Sequence, residues 1–317
     1  MHSSLHGSNK VLLTTKENLM NIYKKNLSLF PAVFFLLVLS GGKLFAQDST
    51  EAPVVTKVKP VKNTFGSVWI MDNQTVMVPI KGTLEMDIQH RFGTINNGSK
   101  DLYGIFAPAN IRIGMSYGPF KKVFVGVGLT KERMQVDLNG KYALLLQTPG
   151  KMPVSVTYFG NVVIDTRNKN NFTYGVHRFS YFNQLIIARK ITSKFSAQIA
   201  PDFSWFNNVE GYVDSKGVIQ YKMHNYHFAI SILGRYKVTA KSAVTAGYDQ
   251  PLTQHPTNNP HPNICLGFET TTSSHAFQVF AGNFWSIVPQ SNNMFNQNDY
   301  TKSQYVIGFN ITHLWNF

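Results

Sequence analysis

From residue 83 onward the chain alternates between apolar and polar positions. In TLEMDIQHRF, Leu84, Met86, Ile88, His90 and Phe92 share one face, and Thr83, Glu85, Asp87, Gln89 and Arg91 share the other. In NIRIGMSY, Ile111, Ile113, Met115 and Tyr117 oppose Asn110, Arg112, Gly114 and Ser116. The same period runs through 134–147, 154–165, 194–206, 225–238, 263–270, 277–285 and the closing QYVIGFNITHLWNF. A period of two marks a β-strand with unlike faces. Two members are weaker: 177–191, where Asn183 falls on the apolar face, and the short 242–251. Either is a place for a β-bulge.

A soluble sandwich alternates too, with its apolar face inside. Two features favour a membrane barrel. Segments 134–147 and 224–238 suit tilted membrane strands of about 10 residues plus extensions. The connections also alternate in length. Short ones at 118–122, 148–152, 192–194, 239–241 and 272–274 are interleaved with longer ones at 93–109, 167–176, 207–223, 252–262 and 286–303, and a tighter one lies near 130–133. Short turns at one end and long loops at the other are the habit of outer-membrane barrels. With the first strand at 82–92 and the last at 304–317, the count is about twelve, an even number that puts both ends at the short-turn side. The predicted fold is all-β: an antiparallel up-and-down transmembrane β-barrel over residues 81–317.

The closing strand resembles the assembly signal of bacterial outer-membrane barrels, an aromatic last residue counted back at alternate positions. That resemblance implies that Tyr305, Phe309, Ile311, Trp315 and Phe317 are read by the barrel-insertion machinery; His313 departs from the pattern. A second resemblance rests on NTFGS, HRFGTINNG and IRIGMSYGPFKK within 63–122. It is to a family of uncharacterised outer-membrane β-barrel proteins of Gram-negative bacteria, and it extends more weakly through GKYALLLQ. It implies the fold and no activity.

Upstream, Lys24 and Lys25 precede an apolar run from Leu27 to Leu39 and a small-residue exit at Ala46, the layout of a secretory signal peptide. The run is short for a membrane helix. Residues 1–46 are expected to be removed, with the true start possible at Met20. Residues 47–80, rich at first in Pro and Lys, are expected to form a periplasmic segment able to enter the barrel and plug it. The chain has 30 Lys and Arg against 16 Asp and Glu. Export makes nucleic acid a poor partner for that excess. Lys57, Lys59, Lys62, Lys121, Lys122, Lys151, Lys194 and Lys241 gather in the tail and at the short turns, where anionic lipid head groups are the expected partner. Trp205, Trp285, Trp315 and Tyr117 lie near strand ends, as interfacial aromatics do.

Candidate chemistry is concentrated in the lumen. The polar faces carry Glu85, Asp87, Arg91, Arg112, Asp137, Lys141, Asp165, Asp202, Arg235, Asp249 and Glu269. Such charges must be wet or paired. A barrel of about twelve strands falls between the filled and the open sizes, so a narrow pore or solute-binding barrel leads, with a closed structural or partner-docking barrel as the alternative. A lipid hydrolase would need a nucleophile beside a base. Ser180 and His177 stand three apart on a strand and face opposite sides, as do His224 and His227. His255 and His261 share a Pro-rich loop without a carboxylate, which reads as solvated rather than metal-binding. The one cysteine, Cys265, excludes an intramolecular disulfide and reads as a small wall residue. No cofactor is expected.

Overall fold

The computed structural model of the protein describes residues 58–317. The signal-peptide region 1–46 and residues 47–57 lie outside the described residues. Twelve strands close into an antiparallel barrel. They are β3 (Thr83–Thr94), β4 (Asn110–Phe120), β5 (Val123–Thr130), β6 (Gln135–Leu145), β7 (Ser155–Asp165), β8 (Phe179–Lys190), β9 (Phe195–Phe206), β12 (Tyr226–Lys237), β13 (Ser242–Pro251), β14 (Asn263–Thr271), β15 (His275–Gly282) and β16 (Val306–Asn316). Two short pairs stand outside this order: β1 (Trp69–Ile70) with β2 (Asn73–Gln74), and β10 (Gly211–Val213) with β11 (Ile219–Tyr221). Strand β16 closes the barrel on β3, with Phe309 opposite His90 and Ile311 opposite Ile88.

The strands follow the alternation, and closure leaves no sheet edge unpaired. Along β3, Thr83, Glu85, Asp87, Gln89 and Arg91 are buried while Leu84, Met86, Ile88, His90 and Phe92 are partly exposed. Large apolar side chains such as Ile113, Leu129, Leu138, Ile232, Leu266 and Val279 stand on the outer surface. An apolar outside around a polar inside inverts the water-soluble pattern and suits a lipid solvent. Among the described residues no helix is long and apolar enough to cross a membrane.

Three details depart from expectation. No register shift occurs within β8 or β13; the shifts lie near strand ends, at Tyr117/Phe120, Ala143/Leu145 and Val306/Gly308. The weakness of β8 is instead two missing rungs, at Leu185/Pro201 and Ile186/Ala200, beside a proline that has no N–H to give. Loop 286–303 does not stay in solvent. It turns inward as a short helix, α1 (Pro289–Phe295), whose residues from Pro289 to Met294 are all buried. Finally, several inward positions are apolar: Phe159, Phe182, Ile186, Leu233 and Phe280 form a core with Phe65, Ile70, Met71 and Val76. The lumen therefore contains an apolar layer that the alternation did not predict.

Candidate functional site

Residues 64–78 lie inside the barrel as a hairpin. The chain comes in at the short-turn end, where Val61 N–H donates to Gln147 O at 2.8 Å and Lys190 Nζ donates to Lys62 O at 3.1 Å. It turns back at Met71 and Asp72. Met71 has φ of 56°, the left-handed region that a non-glycine residue rarely takes. Both of its peptide groups are pinned by the wall: its N–H donates to Gln278 Oε1 at 2.9 Å, and its carbonyl accepts from Arg91 Nη2 and Asn310 Nδ2. The chain leaves again at the short-turn end through Gly82 (φ 85°), where a Cβ would stand 2.6 Å from the Phe317 carbonyl oxygen.

Wall side chains take up the backbone groups that so short a hairpin cannot pair for itself. Lys141 Nζ donates to Val68 O (3.1 Å) and Met77 O (3.2 Å), Thr157 Oγ1 to Val76 O (2.9 Å), Gln198 Nε2 to Gln74 O (2.7 Å) and Gln278 Nε2 to Trp69 O (2.7 Å). Ser67 donates to Glu269, Asn73 Nδ2 to Asp249, and Ser231 to Asn73 and Asp249. Trp69, buried, lies beneath the Arg112 guanidinium at 5.3 Å and edge-on to Phe159.

The eleven charged residues assigned to the lumen are all buried. Arg112 grips Asp137 through Nε (2.8 Å) and Nη2 (3.0 Å), and Asp87 through Nη1 (2.7 Å). Arg235 Nε meets Glu269 Oε2 at 2.6 Å. Among the described residues Arg91 has no ion pair; it stacks at 4.5 Å over Phe280 and donates to carbonyl and amide oxygens. Glu85 faces Lys141 electrostatically but neither of its oxygens takes a hydrogen bond. Asp165 pairs with Arg167 at 2.7 Å near the long-loop end. Asp202 and Asp249 accept only from neutral groups, among them Asn293 and Asn263.

From the long-loop end, α1 meets the hairpin. Asn292 Nδ2 donates to Asp72 Oδ2 at 2.9 Å, Asn293 Nδ2 to Asp202 Oδ1 at 2.9 Å, and Gln290 Nε2 to Ser180 Oγ at 3.2 Å. Hairpin and helix thus meet inside the barrel. The amides of α1 and Asp72 are candidate site residues that sequence reasoning missed. The run VPQSNNMFNQN looks like a loop because a polar lumen selects the same residues as water does. The available signal was Pro289, well placed to start a helix.

The other candidates fall as follows. Tyr305 precedes β16, and its carbonyl accepts from Ile95 N–H at 2.8 Å. Phe309 stacks on His90 at 4.9 Å, Ile311 faces outward, and Trp315 packs on His313 at 4.1 Å. Phe317 is exposed and donates its N–H to Gly82 O. His177 packs edge-on against Tyr174, and Ser180 takes its hydrogen bond from an amide. His224 precedes β12, so the strand rule that set it apart from His227 does not apply. The loop is not merely solvated either: His255 folds in between them, its Nδ1 accepting from His224 N–H (3.1 Å) and its Nε2 meeting His227 Nδ1 (3.0 Å). Burial and the neighbouring His224 hold His255 below the ordinary imidazole range. His261 is apart, donating its N–H to Asn296 O. Cys265 is a buried free thiol in the inner wall.

Among solved structures, the chain is similar to an outer membrane channel from Pseudomonas putida F1, at 11% identity and a TM-score of 0.47 over 75% of this chain and 97% of that one. It is also similar to the NanC porin, at 9% identity and a TM-score of 0.44 over 74% and 99%. No curated protein matches its sequence. A family model does match, over residues 65–315, which takes in all but the first residue of the hairpin and all of the barrel strands but the last residue of β16. The chain belongs to the family of membrane bound beta barrel domains known as DUF5777.

Proposed function

We propose that the protein is an outer-membrane channel for small solutes, held shut by its own hairpin. The observation that carries this is the reach of residues 64–78, which bond to side chains from nine of the twelve strands: β3, β6, β7, β9, β12, β13, β14, β15 and β16. The hairpin comes in and leaves on the short-turn side, which faces the periplasm in an outer-membrane barrel. Withdrawal toward the periplasm would uncover a wall lined with charge. Those wall charges would then set selectivity. The protein has no catalytic role in this reading. Its partners are the outer-membrane lipids, with exposed Lys121, Lys122, Lys151, Lys194 and Lys241 at the short turns facing anionic head groups. The insertion machinery would read Tyr305, Phe309, Ile311, Trp315 and Phe317.

The alternative is a permanently closed barrel that docks a partner through its long loops. It is favoured by the ribbon β10–β11, where Tyr212, Val213, Ile219 and Tyr221 are all exposed. Planar-bilayer recording separates the two. The protein with residues 58–80 intact should be silent, and a variant lacking them should show discrete conductance steps. Conductance by the intact protein contradicts closure by the hairpin. Silence of both forms removes the channel and leaves the docking barrel.

A further inference from the structure

Arg91, on β3, is fully buried and belongs to no ion pair among the described residues. The Nε and Nη2 atoms of an arginine form one side of its fork, and a carboxylate fills both arms at once. Asp137 does so on Arg112, at 2.8 Å from Nε and 3.0 Å from Nη2. On Arg91 the fork is half filled. Nη2 donates to the Met71 carbonyl at 2.9 Å, whereas Nε is buried with no hydrogen-bond partner among the described residues. A peptide carbonyl is neutral and has one oxygen, so it leaves the second arm and the charge unmatched. The carboxylate that acts on Arg91 is Asp72, the next residue of the same hairpin.

The Met71 side chain marks the rest of the site. It lies against the inner wall, where Gly247 and Gly267 leave room for it. A Cβ on Gly247 would stand 3.4 Å from Met71 Cε, and one on Gly267 would stand 3.1 Å from its Sδ. Thr245 Oγ1 is 3.7 Å from the same sulfur. Met71 belongs to the apolar cluster that holds Leu233, Phe280 and Phe284, and the Arg91 guanidinium lies over the Phe280 ring. Asn310 Nδ2 adds a second donor to the Met71 carbonyl, at 2.8 Å. An apolar pocket with a few converging polar groups is the usual makeup of a small-molecule site. When the hairpin withdraws, Met71 and Asp72 leave together. The fork, the Asn310 amide and the pocket are then open, and water is a poor filling for an apolar pocket.

We propose that Met71 stands in for the solute, and that its place in the wall binds small monocarboxylic acids with an apolar body. The carboxylate takes both arms of the Arg91 fork, with Asn310 beside it. An apolar body of about methionine size takes the pocket of the Met71 side chain. This rests on the reading of the barrel as a channel that the hairpin closes. Arg112 and Arg235 already hold carboxylates, so Arg91 is the wall arginine with an arm to offer. Closure and recognition then use the same contacts. The hairpin shuts the barrel by occupying the site, and the solute competes with it there.

Met71→Gly in the full chain empties the pocket and keeps the turn, because glycine suits a φ of 56°. Isothermal titration of that detergent-solubilised variant with 3-methylbutyrate should show one acid bound per chain, its carboxylate on the open Nε arm. 3-Methylbutanol lacks the charge and acetate lacks the body; each should bind at least about tenfold more weakly. Arg91→Gln added to Met71→Gly should erase the preference for acid over alcohol and leave binding of the alcohol as before. In the parent chain the acid must displace Met71, so at high concentration 3-methylbutyrate should speed hydrogen exchange of the Met71 amide, and 3-methylbutanol should not. No binding of the acid by Met71→Gly, or a preference for it that survives Arg91→Gln, overturns the proposal. If Met71→Gly does not fold, the parent chain decides, and unchanged exchange overturns the proposal there too. None of these readouts is a current. An emptied barrel that conducts, in a protein that binds no acid, keeps the channel and removes this solute. Acid binding without conductance in any form keeps the site and removes the channel.

Discussion

Asn183 puts a primary amide on the lipid-facing surface of β8, where an unpaired polar group is costly. Its partner is the Tyr158 hydroxyl, from the neighbouring strand β7. Directly opposite Asn183 is Gly160, and the Tyr158 ring lies over that glycine, its hydroxyl 3.3 Å from where a Cβ would be. The tyrosine thus covers a gap and pairs an amide at once. Asn183→Leu should leave the hydroxyl without this partner and cost about 1–2 kcal/mol in urea unfolding from detergent micelles. Adding Tyr158→Phe should return stability to within about 0.5 kcal/mol of the parent, because replacing both partners is nearly neutral. Additive losses would mean that the two residues act separately. The outward position of Asn183 was legible from alternation alone. Its partner was not, because a diagonal contact depends on a register that no single strand encodes.

At the level of elements, the same divide separates strands from what fills the barrel. Strands are legible because lipid and lumen ask for opposite side chains, so each strand declares its two faces. The hairpin and α1 contact the lumen alone. Their polar residues match those of solvated loops, and Phe65, Val68, Trp69, Ile70, Met71 and Val76 are the apolar residues that hint at burial ahead of β3. The inward apolar residues Phe159, Phe182 and Leu233 are the complementary trace, legible only once the hairpin is known to press on them. Loop 252–262 is a third case, anchored by His255. Its imidazole accepts at Nδ1 when docked, so it is neutral there, and burial holds it below its ordinary value of 6.5. A loosened loop takes up a proton from about pH 6.5 downward, and the docked loop only lower. Docking is therefore at full strength above pH 6.5 and weakens as the pH falls. Hydrogen exchange of amides 252–262, corrected for intrinsic rates, should be faster at pH 5.5 than at 7.5. His255→Asn should remove the difference; its persistence would assign the effect to other groups.

For the whole molecule, the barrel does not depend on its contents in the way a soluble core does. Each strand is hydrogen-bonded on both sides by its neighbours, and lipid covers the outer face. Without residues 58–80, water can hydrate a wall that is largely polar, so the emptied barrel should stay folded. Its wall would carry Glu85, Asp87, Asp137, Asp202, Asp249 and Glu269 against Arg91, Arg112, Lys141 and Arg235, with Asp165 neutralised by Arg167. Arg112 and Arg235 are already engaged with carboxylates. The exposed balance is negative, concentrated where Asp202 and Asp249 lie near the long-loop end. Fixed charge in a narrow pore enriches the opposite ion, and salt screens it over about 10 Å at 0.1 M. The variant lacking 58–80 should therefore pass K⁺ over Cl⁻, with a reversal potential of cationic sign in a KCl gradient and a preference that fades as salt rises. Asp202→Asn with Asp249→Asn on that background should reduce the preference several-fold. An anionic reversal potential, or a preference indifferent to both substitutions, would mean that ions do not pass along this charged wall.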